Sequence, residues 1–182
     1  MGEIDEGLER AERTRPIPQS VPARLRHLLR GAKGSTKQLA AELGVSQRTV
    51  QRWLKGGSSP RPAAAADIEA RVRASWQPRV RARVRREAET AGFMLHIQAR
   101  FGYTAAGGST DDPRERLITQ HMPGEVARRL YAARDAGASE STQQRILADG
   151  LREQYFQDRG RRADGLDVVL EDIGWMDLDV GV

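Results

Sequence analysis

The sequence predicts a mainly α-helical protein with a small β component, in which an N-terminal helical domain precedes a C-terminal strand-helix-helix α+β unit. Three patterns predict this fold. Residues 36–55 carry two short apolar helical stripes separated by Gly44. Residues 93–101 alternate apolar and polar side chains with period two, which is typical of a strand. Residues 124–136 and 139–157 then return to helical spacing.

The N-terminal region divides into an arm and several helices. Residues 1–21 are rich in charge and contain two prolines, so a flexible arm is expected there. Pro22 suits a first helical turn and predicts a helix that continues to Lys33. The break GGSSP at 56–60 precedes another predicted helix from about 62 to 75. The apolar residues expected to pack from these two helices are Leu25, Leu28, Leu29, Ala65, Ile68 and Val72.

Residues 36–55, TKQLAAELGVSQRTVQRWLK, have the pattern of a helix-turn-helix. Gly44 suits the C-terminal cap of the first helix, and Ser46 suits the N-cap of the second. The expected core positions are Leu39, Ala40, Leu43, Val45, Val50, Trp53 and Leu54. The residues left outside on the second helix are Gln47, Arg48, Thr49, Gln51 and Arg52. Because such a helix enters the major groove, the pattern predicts DNA binding, with a plain helical hairpin as the alternative.

The charge of the chain is unevenly distributed. The whole sequence has 30 Lys plus Arg against 25 Asp plus Glu, a net of +5. Residues 22–92 hold sixteen basic side chains against five acidic ones, whereas the segment after Arg162 holds six acids and no base. The region 22–92 is therefore expected to bind a polyanion, unless its charges form a solvated helix face. Its further predicted DNA contacts are Arg71, Arg73, Arg79, Arg81, Arg83, Arg85 and Arg86.

The conformation of residues 78–91 is ambiguous from the sequence. Arginines alternate with Val80, Ala82 and Val84, which suits a strand with one basic face. Pro78 at a first turn and the acidic residues before Gly92 suit a helix instead. Both conformations remain open at this point.

The C-terminal unit is expected to span residues 93–162, with a loop at 103–112. A short strand at 116–122 and the two following helices have the order of a ribbon-helix-helix module. Such a module would allow a homodimer through strand pairing, with Arg116, Ile118 and Gln120 facing bases. Its expected helix core is Val126, Leu130, Ala133, Ile146, Leu147, Leu151, Tyr155 and Phe156. The acidic tail, 163–182, is expected to be a flexible end, an edge strand or a partner-docking segment.

Several classes of site are not expected. The chain has no cysteine, and its three histidines lack the spacing of metal ligands, so no metal site is predicted. No apolar run approaches the roughly 20 residues of a membrane span, and the N-terminus lacks a hydrophobic signal core. We therefore expect no membrane partner and a cytoplasmic, nucleoid-associated location.

Five segments, taken in order, resemble the terminal proteins of linear actinomycete chromosomes and plasmids. The matching segments are SQRTVQRW, WQPRVRARVRREA, FGYTAAGGSTDD, ADGLREQYFQD and GRRADGLDV. The resemblance extends from about residue 8 to residue 180 and is weakest around Gly57 and at both ends. It implies a protein bonded covalently to the 5′ end of telomeric DNA, where a threonine hydroxyl primes the synthesis that fills the recessed end.

By this resemblance the nucleotide acceptor is Thr110, and Ser109 and Thr104 are rival acceptors in the same loop. The loop suits the task because Gly107 and Gly108 make it sterically thin. The implied partners are telomeric DNA, both duplex and 3′ overhang, a DNA polymerase and a telomere-associated recruiting protein. The protein itself would bind no cofactor, since the polymerase brings the divalent metal and the deoxynucleotide.

The role of the two carboxylates after the acceptor is open. Asp111 and Asp112 could help to hold a divalent ion near Thr110. Asp112 stands before Pro113, however, and an Asp-Pro pair also suits a helix N-cap followed by a first-turn proline. We favour the capping role.

Two other functions compete with that of a terminal protein. A helix-turn-helix transcriptional regulator would show the same charge and the same recognition helix without covalent chemistry. An enzyme acting on DNA ends would need several convergent carboxylates for two metals, and apart from Asp111 and Asp112 the sequence offers no such cluster. The protein is therefore expected to accept a nucleotide rather than to be an enzyme.

Overall fold

The structure, a computed structural model, describes residues 2–104, 110–156 and 167–181. The chain forms two compact units, one made of Arg15–Pro78 and the other of Met1–Thr14 with Arg79–Val182. We call the first the helix-turn-helix unit and the second the sheet unit. The elements in chain order are α1 (Glu3–Ala11), α2 (Val21–Gly31), α3 (Thr36–Glu42), α4 (Gln47–Leu54), α5 (Pro62–Ser75), α6 (Pro78–Ala91), β1 (Phe93–Thr104), β2 (Thr110–Met122), α7 (Gly124–Asp135), α8 (Glu140–Leu151), a π-helical turn (Arg152–Phe156) and β3 (Asp167–Asp179).

The helix-turn-helix unit packs helices α2 to α5 around one apolar core. Each of α2, α3 and α4 begins at a serine whose hydroxyl accepts a backbone N–H of the first turn, at Ser20, Ser35 and Ser46. Gly44 follows α3 with a φ of 64°, the left-handed conformation expected of a C-terminal glycine. The buried core is Leu25, Ala32, Leu39, Ala40, Val50, Trp53 and Ile68. The core predicted for residues 36–55 is confirmed.

The expected flexible arm is wrong for its first half. Residues 3–11 form α1, which carries acidic residues in its first turn, where they favour the helix dipole. Ile4 and Leu8 lie one turn apart on one face and are buried in the core of the sheet unit. The sequence hid this helix because only two large apolar residues mark its buried face. The predicted DNA-binding region 22–92 is also divided between the two units, because α6 belongs to the sheet unit.

The sheet unit holds a three-stranded antiparallel sheet in the order β2-β1-β3. The predicted strand at 93–101 is confirmed, and its alternate residues Phe93, Leu95, Ile97, Ala99 and Phe101 are buried. Helices α1, α7 and α8 contribute to the same core. Residues 78–91 form helix α6, which resolves the ambiguity of that segment.

Strand β2 is longer than the sequence predicted. It begins at Thr110 rather than 116, so Asp112 and Pro113 lie in a strand and the predicted helix N-cap at Asp112 is wrong. The reason is the pairing with β1, which continues past a register shift as far as Thr104 opposite Thr110. Pairing with β1 stabilises the extended conformation of this segment more than an N-cap at Asp112 would stabilise a helix.

The ribbon-helix-helix comparison holds for element order but not for the exposed side chains. Strand β2 pairs with β1, and Ile118 is buried opposite Ile97, so Ile118 does not face DNA. The acidic segment forms edge strand β3, one of the three alternatives expected for it. In the last helical region Ile146, Leu147 and Leu151 are buried, but Tyr155 is exposed. The π-helical turn after α8 changes the angular spacing of the side chains. This change explains why Tyr155 is exposed although the sequence predicted it in the core.

Candidate nucleic-acid interface

Helix α4 presents a stripe of four polar side chains to solvent. Their spacing over two helical turns places them on the side opposite the buried Val50 and Trp53. The stripe consists of Arg48, Gln51, Arg52 and Lys55, all exposed and spaced at i, i+3, i+4 and i+7. Within the described residues neither Arg48 nor Arg52 has an acidic partner. Both guanidinium groups are therefore available to an external acceptor, and Lys55, which the sequence reasoning missed, extends the stripe at the predictable i+7 position.

Two of the predicted base-contacting residues also take part in hydrogen bonds within the helix-turn-helix. The Thr49 hydroxyl lies 2.8 Å from the Ser46 hydroxyl, and the Ser46 oxygen accepts the Thr49 backbone N–H at 3.2 Å. The Gln47 side-chain amide donates to the Thr36 hydroxyl at 2.8 Å. The first two bonds lie within the first turn of α4, and the third joins that turn to the first turn of α3. Gln47 and Thr49 therefore position the helix, and their assignment as DNA contacts stays a prediction.

The arrangement of α3 and α4 suits a DNA groove. Two short helices are joined by a tight turn with Gly44, and the second exposes a cationic and amide-bearing face. An α-helix fits the major groove, where arginine can donate two hydrogen bonds to guanine and glutamine can pair with adenine. Residues 26–72 match the helix-turn-helix family. This segment is a helix-turn-helix domain. No curated protein and no solved structure matches the chain.

The helix-turn-helix domain binds DNA. Some of its arginines are paired with acidic side chains of the same unit. Arg71 pairs with Asp67 at 2.9 Å, and Arg73 pairs with Glu69 at 3.0 Å. Arg24 from α2 also pairs with Glu69 at 2.9 Å, which joins α2 to α5. The hydrogen bond from Arg73, and then the charge of Arg24, hold the pKa of Glu69 below its usual value. Arg71 and Arg73 therefore have acidic partners within α5, and their role in DNA binding stays a prediction.

In the sheet unit, two of the predicted DNA-binding arginines are bound by acids. Arg81 lies 3.5 Å from Glu12, whose side chain is only 3% exposed. Arg85 pairs with Glu89 at 2.7 Å and with Asp135 at 2.6 Å, and the hydrogen bonds from these two acids raise the pKa of Arg85. The sequence places no acid between Arg71 and Arg86, but the fold supplies the acids from α5, from α7, from the end of α6 and from Glu12, which follows α1. Four of the arginines predicted to contact DNA, Arg71, Arg73, Arg81 and Arg85, are therefore paired with acids of their own unit.

A buried polar cluster joins α7 to Glu12, the residue that follows α1. Arg134 donates to Glu12 at 2.6 Å, and the guanidinium groups of Arg134 and Arg85 both lie over the ring of Tyr131, 5.0 and 4.9 Å from its centroid. Burial, and then the charge of Glu12, raise the pKa of Tyr131 to about 12. The cluster is structural, and it explains why Arg81 and Arg85 are occupied.

The predicted nucleotide acceptor lies at the end of a hairpin. Thr110 is the first residue of β2 and pairs with Thr104, the last residue of β1. Asp111 pairs with Tyr103, and Asp112 follows in the same strand. The hairpin thus brings two candidate acceptors to opposite strands at one end, while Ser109 lies outside the described residues. Among the residues that the structure describes, no group of three His, Asp or Glu side chains is arranged to hold a metal ion.

None of the helices that the structure describes is long and apolar enough to cross a membrane.

Proposed function

We propose that the protein is a DNA-binding regulator that recognises a specific duplex sequence through α4. The observation that supports this function is the exposed stripe of Arg48, Gln51, Arg52 and Lys55 on the second helix of a helix-turn-helix domain. Arginine and glutamine are the side chains that distinguish guanine and adenine in the major groove. No covalent chemistry is required for this function.

The first test is to select bound duplexes from a random-sequence pool with the full-length protein. A shared sequence motif is expected. The double variant Arg48→Ala with Arg52→Ala should lose the preference for this motif, because each bidentate contact to a base contributes about 1–3 kcal/mol of discrimination. This corresponds to roughly ten-fold or more per contact.

The matched control is Arg26→Ala with Arg30→Ala. Both residues are exposed on α2 of the same unit, so the variant removes the same charge. It should bind all duplexes somewhat more weakly but keep the preference for the motif. Equal loss of preference in both double variants would show that α4 does not read the bases.

A second candidate function is that of a telomere terminal protein, which would use the same DNA-binding domain. It is supported by the ordered resemblance of five segments and by the position of Thr110 at the hairpin end, opposite Thr104. In this function the Thr110 hydroxyl oxygen attacks the α-phosphate of a deoxynucleoside triphosphate. A phosphodiester bond forms at the threonine oxygen, the bond to the leaving pyrophosphate breaks, and the hydroxyl proton is lost. The polymerase supplies the metal ions.

This function also requires the partners that the resemblance implies. These are the 3′ overhang of telomeric DNA, a DNA polymerase and a telomere-associated recruiting protein. The protein would be the acceptor of the nucleotide and not a turnover enzyme. A nucleoid-associated location in the cytoplasm follows from this proposal.

Peptide mass spectrometry would separate the two candidates. The protein would be recovered from its native cells, digested exhaustively with nuclease, and searched between residues 101 and 114 for a remaining nucleotide. An adduct on Thr110 would support the terminal-protein function and should be absent in Thr110→Ala. An adduct on Ser109 or Thr104 would move the acceptor, whereas an unmodified peptide would leave the regulator as the function.

A homodimer remains a proposal as well. The sheet order leaves β2 as an edge strand, with β1 on one side only. Antiparallel pairing of two β2 edges would extend the sheet and present two helix-turn-helix domains, as twofold-symmetric DNA sites require. Sedimentation equilibrium of the full-length chain would measure this state directly, and a strictly monomeric protein at all concentrations would exclude it.

A further inference from the structure

Helix α6 carries a second cationic stripe, distinct from that of α4. Arg79, Arg83 and Arg86 recur at i, i+4 and i+7, and all three are exposed. At 100° per residue they lie on the side of α6 opposite the buried Val84 and Ala88. The stripe therefore projects to solvent from the sheet unit.

These three arginines differ from the other arginines of the basic segment. Arg79, Arg83 and Arg86 have no acidic partner within the described chain. The nearest acid in sequence is Glu87, whose carboxylate lies beside Gly181. Three like charges on neighbouring turns repel one another, so this surface is complementary to an anionic partner. The fold neutralises Arg81 and Arg85 with acids but leaves this stripe charged.

The length of the stripe fits a nucleic-acid strand. The seven steps from Arg79 to Arg86 rise about 10.5 Å along the helix. One strand of B-DNA carries a phosphate about every 3.4 Å along the duplex axis, so about three phosphates fall within that rise. Arginine is well suited to this ligand because its planar guanidinium group can donate two hydrogen bonds to a phosphate.

We propose that Arg79, Arg83 and Arg86 bind the phosphate backbone of DNA and form a second contact, in a different unit from the base-reading helix α4. This inference rests on the proposed DNA-binding function and assigns different roles in it to two helices. Helix α4 reads the sequence, and α6 adds affinity that does not depend on sequence. Arg81 and Arg85, in contrast, hold the sheet unit together.

The test compares full-length protein with the triple variant Arg79→Ala, Arg83→Ala and Arg86→Ala, using the selected duplex and an unrelated duplex of equal length. Affinity would be measured over a series of salt concentrations. Each lost phosphate contact reduces the slope of log affinity against log salt by about 0.9, so the triple variant should lose about 2.7 on both duplexes. The ratio of affinities for the two duplexes should stay unchanged.

The control is Arg128→Ala, Arg129→Ala and Arg145→Ala, which removes three charges from α7 and α8 of the same unit, two of them already paired with Glu125 and Asp149. Its salt slope should equal that of the unchanged protein. An unchanged slope in the α6 triple variant, or an equal decrease in the control, would overturn the proposal. Loss of sequence preference in the α6 variant would also contradict it, since phosphate contacts carry no direct sequence information.

The outcomes separate this inference from the proposed function. If Arg48→Ala with Arg52→Ala leaves sequence preference intact while the α6 variant loses salt dependence, the role of α4 fails and that of α6 stands. Vesicles containing phosphatidylglycerol provide the opposing test. Binding to these vesicles that depends on the α6 stripe, together with an unchanged DNA salt slope, would assign the stripe to an anionic membrane surface and refute the proposal.

Discussion

Helix α1 is an integral part of the sheet unit, and Leu8→Ala tests this directly. Leu8 is 1% exposed and lies in the core that Leu178 and Met176 of β3 also enter. The substitution removes three carbon atoms from a fully buried side chain, which gives a transfer cost of about 2.4 kcal/mol at roughly 0.8 kcal/mol per carbon. The remaining cavity adds to this cost, and buried Leu→Ala substitutions reach roughly 2.7–5.0 kcal/mol in a well-studied protein.

Partial movement of α1 into the cavity limits this added cost. We therefore expect a loss of about 3 kcal/mol in the free energy of unfolding. Urea denaturation followed by circular dichroism measures this quantity. With a slope of about 2 kcal/mol per molar urea, the midpoint of the sheet unit should fall by about 1.5 M.

The control is Leu117→Ala, the same substitution at a side chain that is 72% exposed. It should change the free energy of unfolding by less than about 0.5 kcal/mol. If Leu8→Ala is as mild as Leu117→Ala, then residues 1–14 behave as the flexible arm that the sequence alone suggests, and the packing of α1 is refuted.

Two further substitutions test the fold and its response to pH. Gly92 has a φ of 87°, and a Cβ there would lie 2.3 Å from the Met122 carbonyl oxygen, so Gly92→Ala should destabilise the sheet unit by more than about 2 kcal/mol. Gly137→Ala, at a φ of 68° with open space around it, should cost only about 1 kcal/mol, and equal effects in urea denaturation would contradict the close approach. Burial, and then the charge of Arg30, lower the pKa of His27 below its usual 6.5. The unfolded chain then binds a proton at His27 more readily than the folded chain does. The contribution of neutral His27 to folding stability is therefore complete above pH 6.5 and is lost as the pH falls through the lowered pKa of the folded chain. His27→Asn should therefore flatten the decrease in melting temperature from about pH 7.5 to about pH 5.5, and an unchanged decrease would show that His27 does not cause it.

The sequence predicted the helix-turn-helix domain well because its signals are local. Ser46, Gly44 and the apolar spacing from Leu39 to Trp53 all lie within one short segment, and each reports the same backbone conformation. The strand at 93–101 was predictable for the same reason, since alternation of apolar residues is itself the signal of a half-buried strand.

The features that the sequence did not predict depend on contacts between distant residues. Helix α1 packs against β3, which begins 156 residues after α1 ends, since 167 minus 11 is 156. The acids that neutralise Arg81 and Arg85 include Glu12, which follows α1, and Asp135 of α7. Strand β2 extends to Thr110 only because β1 pairs with it. Local propensity carries no information about such partners. The sequence alone therefore could not show which arginines are paired with acids and which are not.

The most direct test of the central claim is arginine-selective dicarbonyl modification of the full-length protein, mapped by peptide mass spectrometry with and without a bound duplex. Arg48 and Arg52 are exposed and unpaired within the described chain, so both should react in the free protein. Bound DNA should protect them strongly, whereas the exposed Arg145 on α8 should react equally in both states. Reaction of Arg48 and Arg52 at the same rate with and without DNA would contradict recognition through α4.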